Sequence, residues 1–345
     1  MSASNNRVSE HMTYHHLMSR IAHRVYFMTE EVRNDFIEMV RRAADFCGVK
    51  LIAWCVMTNH FHLLVFLPNR EELSEAEILR RYGVLKGRSR LSGLVEELDA
   101  LRKGTDGGAE KIKARLDAIS RPMYDIGEFM KIVKQWMTQD YNRRNSHVGT
   151  LWESVYKDVL VADNPTELAK RAAYIHLNPV RAAICTGFSE YVWSSFTAFS
   201  RRDDIAVSGM RRIYGDEAEI WEISRAHHEL MTQLLEQVKL ERAQDIARKR
   251  QAGFDVPADP LTTEALIAQA EAHLKSVMTE SVEDKDIRRA RGRPSKSNDL
   301  ANEIALLLKV NPTMSIGGLV EATGCSRSTV YRCIKAAKDR LSAKQ

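Results

Sequence analysis

Two histidines one residue apart, His60 and His62, flank Phe61 at the head of an apolar run that ends at Pro68. Side chains alternate faces along a strand, so the two imidazoles point one way and Phe61 the other. Strand residues two apart lie roughly 6.5–7 Å from each other, and converging rings at that spacing can share a divalent metal ion. Imidazoles buried without partners would be costly, so the pair calls for a ligand. Far downstream, Tyr174 and Asn178 lie four residues apart in a segment that Asp163-Asn164-Pro165 starts as a helix and Pro179 stops. A phenol and a carboxamide on one helical face could complete a His-His site and set a nucleophile beside it. The histidine pair alone does not name a chemistry, because zinc hydrolases also use such pairs.

Three stretches together narrow the reading: Asn59-His60-Phe61-His62-Leu63-Leu64-Val65, the segment Gly149-Thr150-Leu151-Trp152-Glu153-Ser154-Val155-Tyr156-Lys157, and Tyr174-Ile175-His176-Leu177-Asn178-Pro179-Val180. In this order they resemble the REP-associated tyrosine transposases, single-tyrosine HUH transposases of the IS200-like superfamily. One departure is Val155, where the family usually has Arg before the aromatic residue. The resemblance runs from about Tyr14 to Phe199 and leaves the rest of the chain uncovered. It implies that Tyr174 is the catalytic nucleophile. It implies further that His60, His62 and Asn178 hold a divalent metal ion, Mg2+ or Mn2+, of which Mn2+ suits imidazole ligands at least as well. The implied substrate is single-stranded and hairpin DNA, such as repetitive extragenic palindromes, cleaved to a covalent 5′-phosphotyrosine and a free 3′-OH.

Rival readings of the same residues stay open at this point. Tyr141 competes as nucleophile, although Asn145, four residues on, falls beyond a helix end; Tyr156 on a predicted strand comes third. A zinc hydrolase would need a carboxylate base near the pair, and Glu71 and Glu72 lie past Pro68, so the sequence offers no obvious one. A DNA-binding regulator with an inactive nuclease site is the third class.

The elements that must position these residues follow from hydrophobic spacing. Tyr14–Ile21 predicts a first strand. A helix follows, with Thr29 as its cap, Val32, Phe36, Met39, Val40, Ala43 and Phe46 as its stripe, and Gly48 as its end. Two strands around the Thr58-Asn59 turn come next, then a helix around Gly127–Tyr141 and a strand around Leu151–Val161. The order is that of an α+β, ferredoxin-like βαββαβ sandwich with an antiparallel sheet, one face covered by helices and the other free for substrate. Residues 69–125 read as a helical insertion with a loose loop at 104–108. Arg143 and Arg144 close the second helix, either complementing its dipole or contacting phosphate.

Residues 201–284 read as a helical connector, including Ile223–Arg250, a linker at Ala252–Pro260 and a helix at Thr263–Met278. Residues 285–345 carry 13 Lys+Arg against 5 Asp+Glu, a local +8 that leaves −3 for the remainder. Such an excess in a terminal module predicts a polyanionic partner. Arg291 and Arg293 lie in an Arg-Gly-Arg-Pro segment that resembles an AT-hook core. Helix, Gly324 turn and helix then predict an all-α C-terminal helix-turn-helix domain. Its second helix turns Arg327, Ser328, Thr329 and Arg332 outward toward duplex DNA. The enzyme unit would then be 13–200, and residues 1–200 are expected to cleave a short hairpin alone.

Composition excludes several classes. A chain of 345 residues with 44% hydrophobic content has the length for two or three domains, and no stretch approaches a membrane span. Five cysteines without a Cys-x-x-Cys pair argue against a zinc finger or disulfide scaffold and fit a reducing bacterial cytoplasm, near the nucleoid. A monomer or homodimer is expected.

Overall fold

The computed structural model describes residues 12–22, 28–104, 107–256 and 259–274. The chain divides into two compact units, Met1–Ala268 and Gln269–Gln345. The basic segment and helix-turn-helix expected at 285–345, with Arg291, Arg293, Arg327, Ser328, Thr329 and Arg332, lie outside the described residues.

In chain order the first unit runs β1 (Thr13–Arg20), α1 (Glu30–Cys47), β2 (Lys50–Val56), β3 (His60–Leu67), α2 (Glu75–Lys86), α3 (Arg88–Lys103), α4 (Gly108–Ser120) and α5 (Ile126–Asn145). It continues through β4 (Lys157–Val161), α6 (Pro165–His176), α7 (Asn178–Arg181), α8 (Ser195–Ser200), α9 (Asp204–Tyr214) and α10 (Ile220–Gln251). A further helical stretch spans 264–274. The four strands form one sheet in the order β2-β3-β1-β4, every neighbouring pair antiparallel. The fold is α+β, with the strand order of a βαββαβ sandwich.

The first helix forms where its spacing predicts. The Thr29 hydroxyl accepts from the Val32 amide, and Gly48 closes the helix at φ 70°, a conformation glycine adopts without a Cβ penalty. Phe61 is fully buried, its ring 4.9 Å from that of Phe36 and edge-on to Trp152. α1 and α5 thus cover the Phe61 face of the sheet.

The opposite face is not free. The register pairs His62 with Met18, His60 with Arg20 and Leu64 with His16, so these six side chains share one face with Tyr14 and Phe66. α6 packs across it, and α9 lies beside α6 with the Arg212 guanidinium 3.5 Å from the Phe66 ring centre. Only the end bearing His60, Arg20 and β4 stays open. Beyond α6, the cover comes from apolar helices downstream of residue 200 that need a partner surface. α9 buries Ala206, Met210 and Ile213, and a Cβ on its Gly209 would run into the Ile52 carbonyl oxygen. That close approach falls where the β2–β3 register shifts between Leu51 and Ala53. Gly209→Ala is therefore expected to cost about 1–3 kcal/mol by forcing α9 off the strand, measured as a lower denaturation midpoint.

Two further expectations shift. The strand predicted at Leu151–Val161 is only five residues long, Lys157–Val161. Trp152 makes one isolated bridge to Ile21, and its indole N–H donates to the Lys134 carbonyl and Thr138 hydroxyl of α5, which draws the segment off the sheet. The insertion holds a third helix, α4, begun by Gly107 at φ 63°. It packs as an outer layer on α1, where Arg42 donates to the Val84 and Leu85 carbonyls at the end of α2.

Candidate active site

β3 presents His60 and His62 on one face, as alternation requires, with ring centres 5.2 Å apart. The Thr58-Asn59 turn holds His60, whose Nδ1–H donates to Asn59 Oδ1 at 2.7 Å and leaves Nε2 as the free lone pair. His62 Nδ1 lies 3.0 Å from His16 Nε2, and Arg171 points a guanidinium N–H at His16 Nδ1 from 3.4 Å. His16 is thus a third imidazole in the cluster. Its role became visible only with the register, since it sits across from Leu64 on the neighbouring strand.

α6 brings Tyr174 onto this cluster. Asn164 caps the helix, its Oδ1 accepting from the Thr166 and Glu167 amides, and Pro165 takes the first turn. The Tyr174 ring stands edge-on to His62 at 6.2 Å and to His16 at 6.0 Å, and the Arg181 guanidinium lies 5.4 Å from it. Tyr174 is 37% exposed, so its hydroxyl remains within reach of a substrate. Of the rivals, Tyr141 packs its ring against His147 at the end of α5, and Tyr156 lies beside Gly127 and Asp125.

Asn178 falls just past the end of α6, at the start of α7. Its Nδ2 donates to the Tyr174 and Ile175 carbonyls at 3.0 and 3.3 Å, so it caps the helix and keeps only Oδ1 for a ligand. Among the described residues no group of three His, Cys, Asp or Glu is arranged to hold a metal ion. A divalent cation would take the imidazole nitrogens of His60 and His62, which line one pocket, whereas Asn178 does not line it. Burial favours the neutral, metal-binding form of each imidazole. It pushes His62 down to about 2, helped by His60 and His16, and His60 to about 4, helped by Arg20. His16 also falls to about 4, through burial and then Arg171.

A pocket of about 270 Å3 opens beside the pair, lined by His60, His62, Arg20, Lys157 and Glu153 among others. Tyr174 does not line it and meets His62 from the α6 side. Glu153 was not legible as a neighbour of the histidines; its backbone N–H donates to the Arg20 carbonyl, which docks the 153–157 segment at the pocket rim. Arg143 and Arg144 stand elsewhere. Arg144 bridges Glu31, Asp35 and Asp140, Arg143 pairs with Asp140, and the network ties α5 to α1.

Behind the tyrosine helix runs a buried polar chain. Tyr214 hydroxyl, His227, His176 and Ser195 Oγ connect in sequence at 2.8, 2.8 and 2.7 Å, and Ser195 Oγ accepts from the Trp54 amide. His176 and His227 are fully buried. Burial holds His227 at about 3 against an ordinary 6.5, and His176 well below that value. As pH falls below 6.5 the unfolded chain takes up protons that the folded chain refuses. Stability should therefore fall from 6.5 toward 3, by about 1.4 kcal/mol per pH unit for each such group. His227→Leu should shallow that acid slope. At neutral pH it should cost about 1–3 kcal/mol for each partner left unpaired, His176 and Tyr214. Urea denaturation across the pH range reads both effects.

Residues 9–83 match the family "Transposase IS200 like". That match covers less than a quarter of the chain, the part that holds β1, α1, β2 and β3. Residues 292–337 match "Helix-turn-helix domain of resolvase". Among solved structures the chain is similar to one described as "Structure of the REP associates tyrosine transposase bound to a REP hairpin", with 11% identity and a TM-score of 0.36. The similarity covers 59% of this chain and 87% of that one. No curated protein matches. Among the described residues no helix is long and apolar enough to cross a membrane.

Proposed function

We propose that the chain is a metal-dependent single-stranded DNA endonuclease and strand transferase that acts on hairpin DNA through Tyr174. The observation that carries this reading is the Tyr174 ring set against both His62 and His16, on a helix packed over the histidine face. A cation held by His60, His62 and Asn178 Oδ1, Mn2+ or Mg2+, would polarise the phosphoryl group as a Lewis acid. Arg20 and Lys157 supply positive charge around the pocket for the incoming phosphate. In-line attack forms the bond from the Tyr174 phenol oxygen to phosphorus and breaks the bond from phosphorus to the 3′ oxygen. The electron pair stays on that oxygen, which takes a proton from water, and the phenolic proton is lost to solvent. The product is a 5′-phosphotyrosine and a free 3′-OH, so the phosphoryl link is conserved for rejoining. The 285–345 module would hold duplex DNA, with Arg327, Ser328, Thr329 and Arg332 on its reading helix and Arg291 and Arg293 in the minor groove.

Incubation with Mn2+ and labelled hairpin DNA, followed by denaturing electrophoresis, tests the reading. An SDS-stable protein–DNA adduct is the expected result. Metal-dependent cleavage without an adduct would favour the hydrolytic reading, for which Glu153 at the histidine pocket is the base. Duplex binding with no cleavage at all would leave a DNA-binding regulator.

A further inference from the structure

Next to the histidine pocket lies a second, larger cavity of about 720 Å3, within the range of ~300–1,000 Å3 common for ligand sites. One wall is the polar stripe of α5, where Lys131, Lys134, Gln135, Thr138 and Gln139 recur at helical spacing opposite the core residues Phe129, Met130, Val133 and Met137. The other wall is the 149–156 segment. Ser154 and Val155 line both cavities, so the trough and the histidine pocket meet at that segment. Val155 is 78% exposed there, a large apolar side chain at the junction. Two lysines and no carboxylate line the trough. The Lys134 ammonium is half-buried, donates to the Ser154 carbonyl at 2.9 Å and lies 5.1 Å from the Trp152 ring, while Lys131 pairs on its solvent side with Glu128.

From residue 131 to 139 the stripe extends about 12 Å at 1.5 Å per residue. It offers cationic groups for phosphate at one end and two carboxamides at the other. Gln135 and Gln139, one turn apart, can each donate to and accept from a base edge, as glutamine does with unpaired or grooved bases. An aromatic side wall is supplied by Tyr156. Deepening the function proposed above and resting on it, we infer that this trough receives the unpaired DNA strand that continues from the phosphate at His60 and His62. Its lysines hold the backbone and its glutamines read at least one base next to the cleaved step.

The test uses the full chain and single-stranded oligonucleotides that carry 4-thiothymidine at successive positions, without relying on cleavage. Ultraviolet crosslinks are expected in the peptides holding residues 126–145 and 149–156. Lys131→Glu, a surface change, is expected to weaken single-strand affinity about tenfold and to lower the log–log salt slope by about 0.7 for each phosphate no longer neutralised. Gln135→Ala with Gln139→Ala should reduce discrimination between bases at one position and leave the salt slope alone. Duplex affinity should not change in any of these variants. Crosslinks confined to the second compact unit would overturn the inference, as would unchanged single-strand affinity, salt slope and base preference in both variants. Groove crosslinks without a covalent adduct would uphold the trough while refuting the tyrosine chemistry. An adduct with no groove crosslinks would do the reverse.

Discussion

Tyr174→Phe reduces the covalent DNA adduct to background while folding and DNA affinity stay nearly unchanged. The substitution removes one hydroxyl from a partly exposed ring and keeps that ring's packing against His16, His62 and Arg181. Tyr141→Phe and Tyr156→Phe should keep the adduct, since Tyr141 packs against His147 and Tyr156 lines the neighbouring trough while Tyr174 stands against His62 and His16. His60→Ala or His62→Ala should each abolish cleavage and weaken Mn2+ binding, because each takes one ligand from a small set. Asn178→Ala should act in the same direction but also loosen α6, whose last carbonyls lose two hydrogen bonds worth about 0.5–1.5 kcal/mol each. Thermal denaturation separates that structural part from the loss of a ligand. Full adduct formation in EDTA would remove the metal from the mechanism, and an adduct that survives in Tyr174→Phe would move the nucleophile to another residue.

A chain ending at residue 200 loses the adduct, whereas one ending at residue 274 keeps it and loses duplex binding. This reverses the expectation, drawn from motif positions alone, that residues 1–200 suffice. Met210 and Ile213 of α9 and Ile223 and Met231 of α10 are buried in the cores shared with the sheet and the helix of Tyr174. At about 1.5–3 kcal/mol for each fully buried side chain, deleting them removes roughly 6–12 kcal/mol. That is comparable with the whole stability of a typical domain, about 5–15 kcal/mol. The cut would also strip His227 and Tyr214 from His176, two residues from the nucleophile. The longer fragment keeps all of these interactions. Without 285–345, duplex affinity should drop and its log–log salt slope should flatten by about 0.9 for each phosphate the module had neutralised. In the full chain, Arg327→Ala or Arg332→Ala should each cost about 1–3 kcal/mol of duplex binding if the side chain reads a base edge. A 1–200 fragment that denatures cooperatively and forms the adduct would show that α9 and α10 are dispensable.

Much of this molecule was legible in the chain itself, wherever the deciding interactions are local. Period-two alternation put His60 and His62 on one face and Phe61 on the other. Asn164-Pro165 marked the start of the tyrosine helix, and Thr29 and Gly48 bounded α1. These signals are read within a turn or a strand, so spacing alone reveals them. What no local signal could reveal is which residues meet across strands and helices. His16 joins the site because β1 and β3 pair in one register, and a one-residue slip would turn it to the other face. Glu153 and Lys157 reach the histidine pocket because the Glu153 amide donates to the Arg20 carbonyl and Lys157 pairs with Met18 across β4 and β1. The histidine face is covered because Gly209 lets α9 approach the backbone of β2, a meeting of residues more than 150 positions apart in the chain. The sequence by itself determined most of the strands and helices and the residue types that could carry chemistry. Only the tertiary structure decided which face stays open, what shares the pocket, and that the helices beyond residue 200 brace the helix of Tyr174, because burial and register belong to the packed chain.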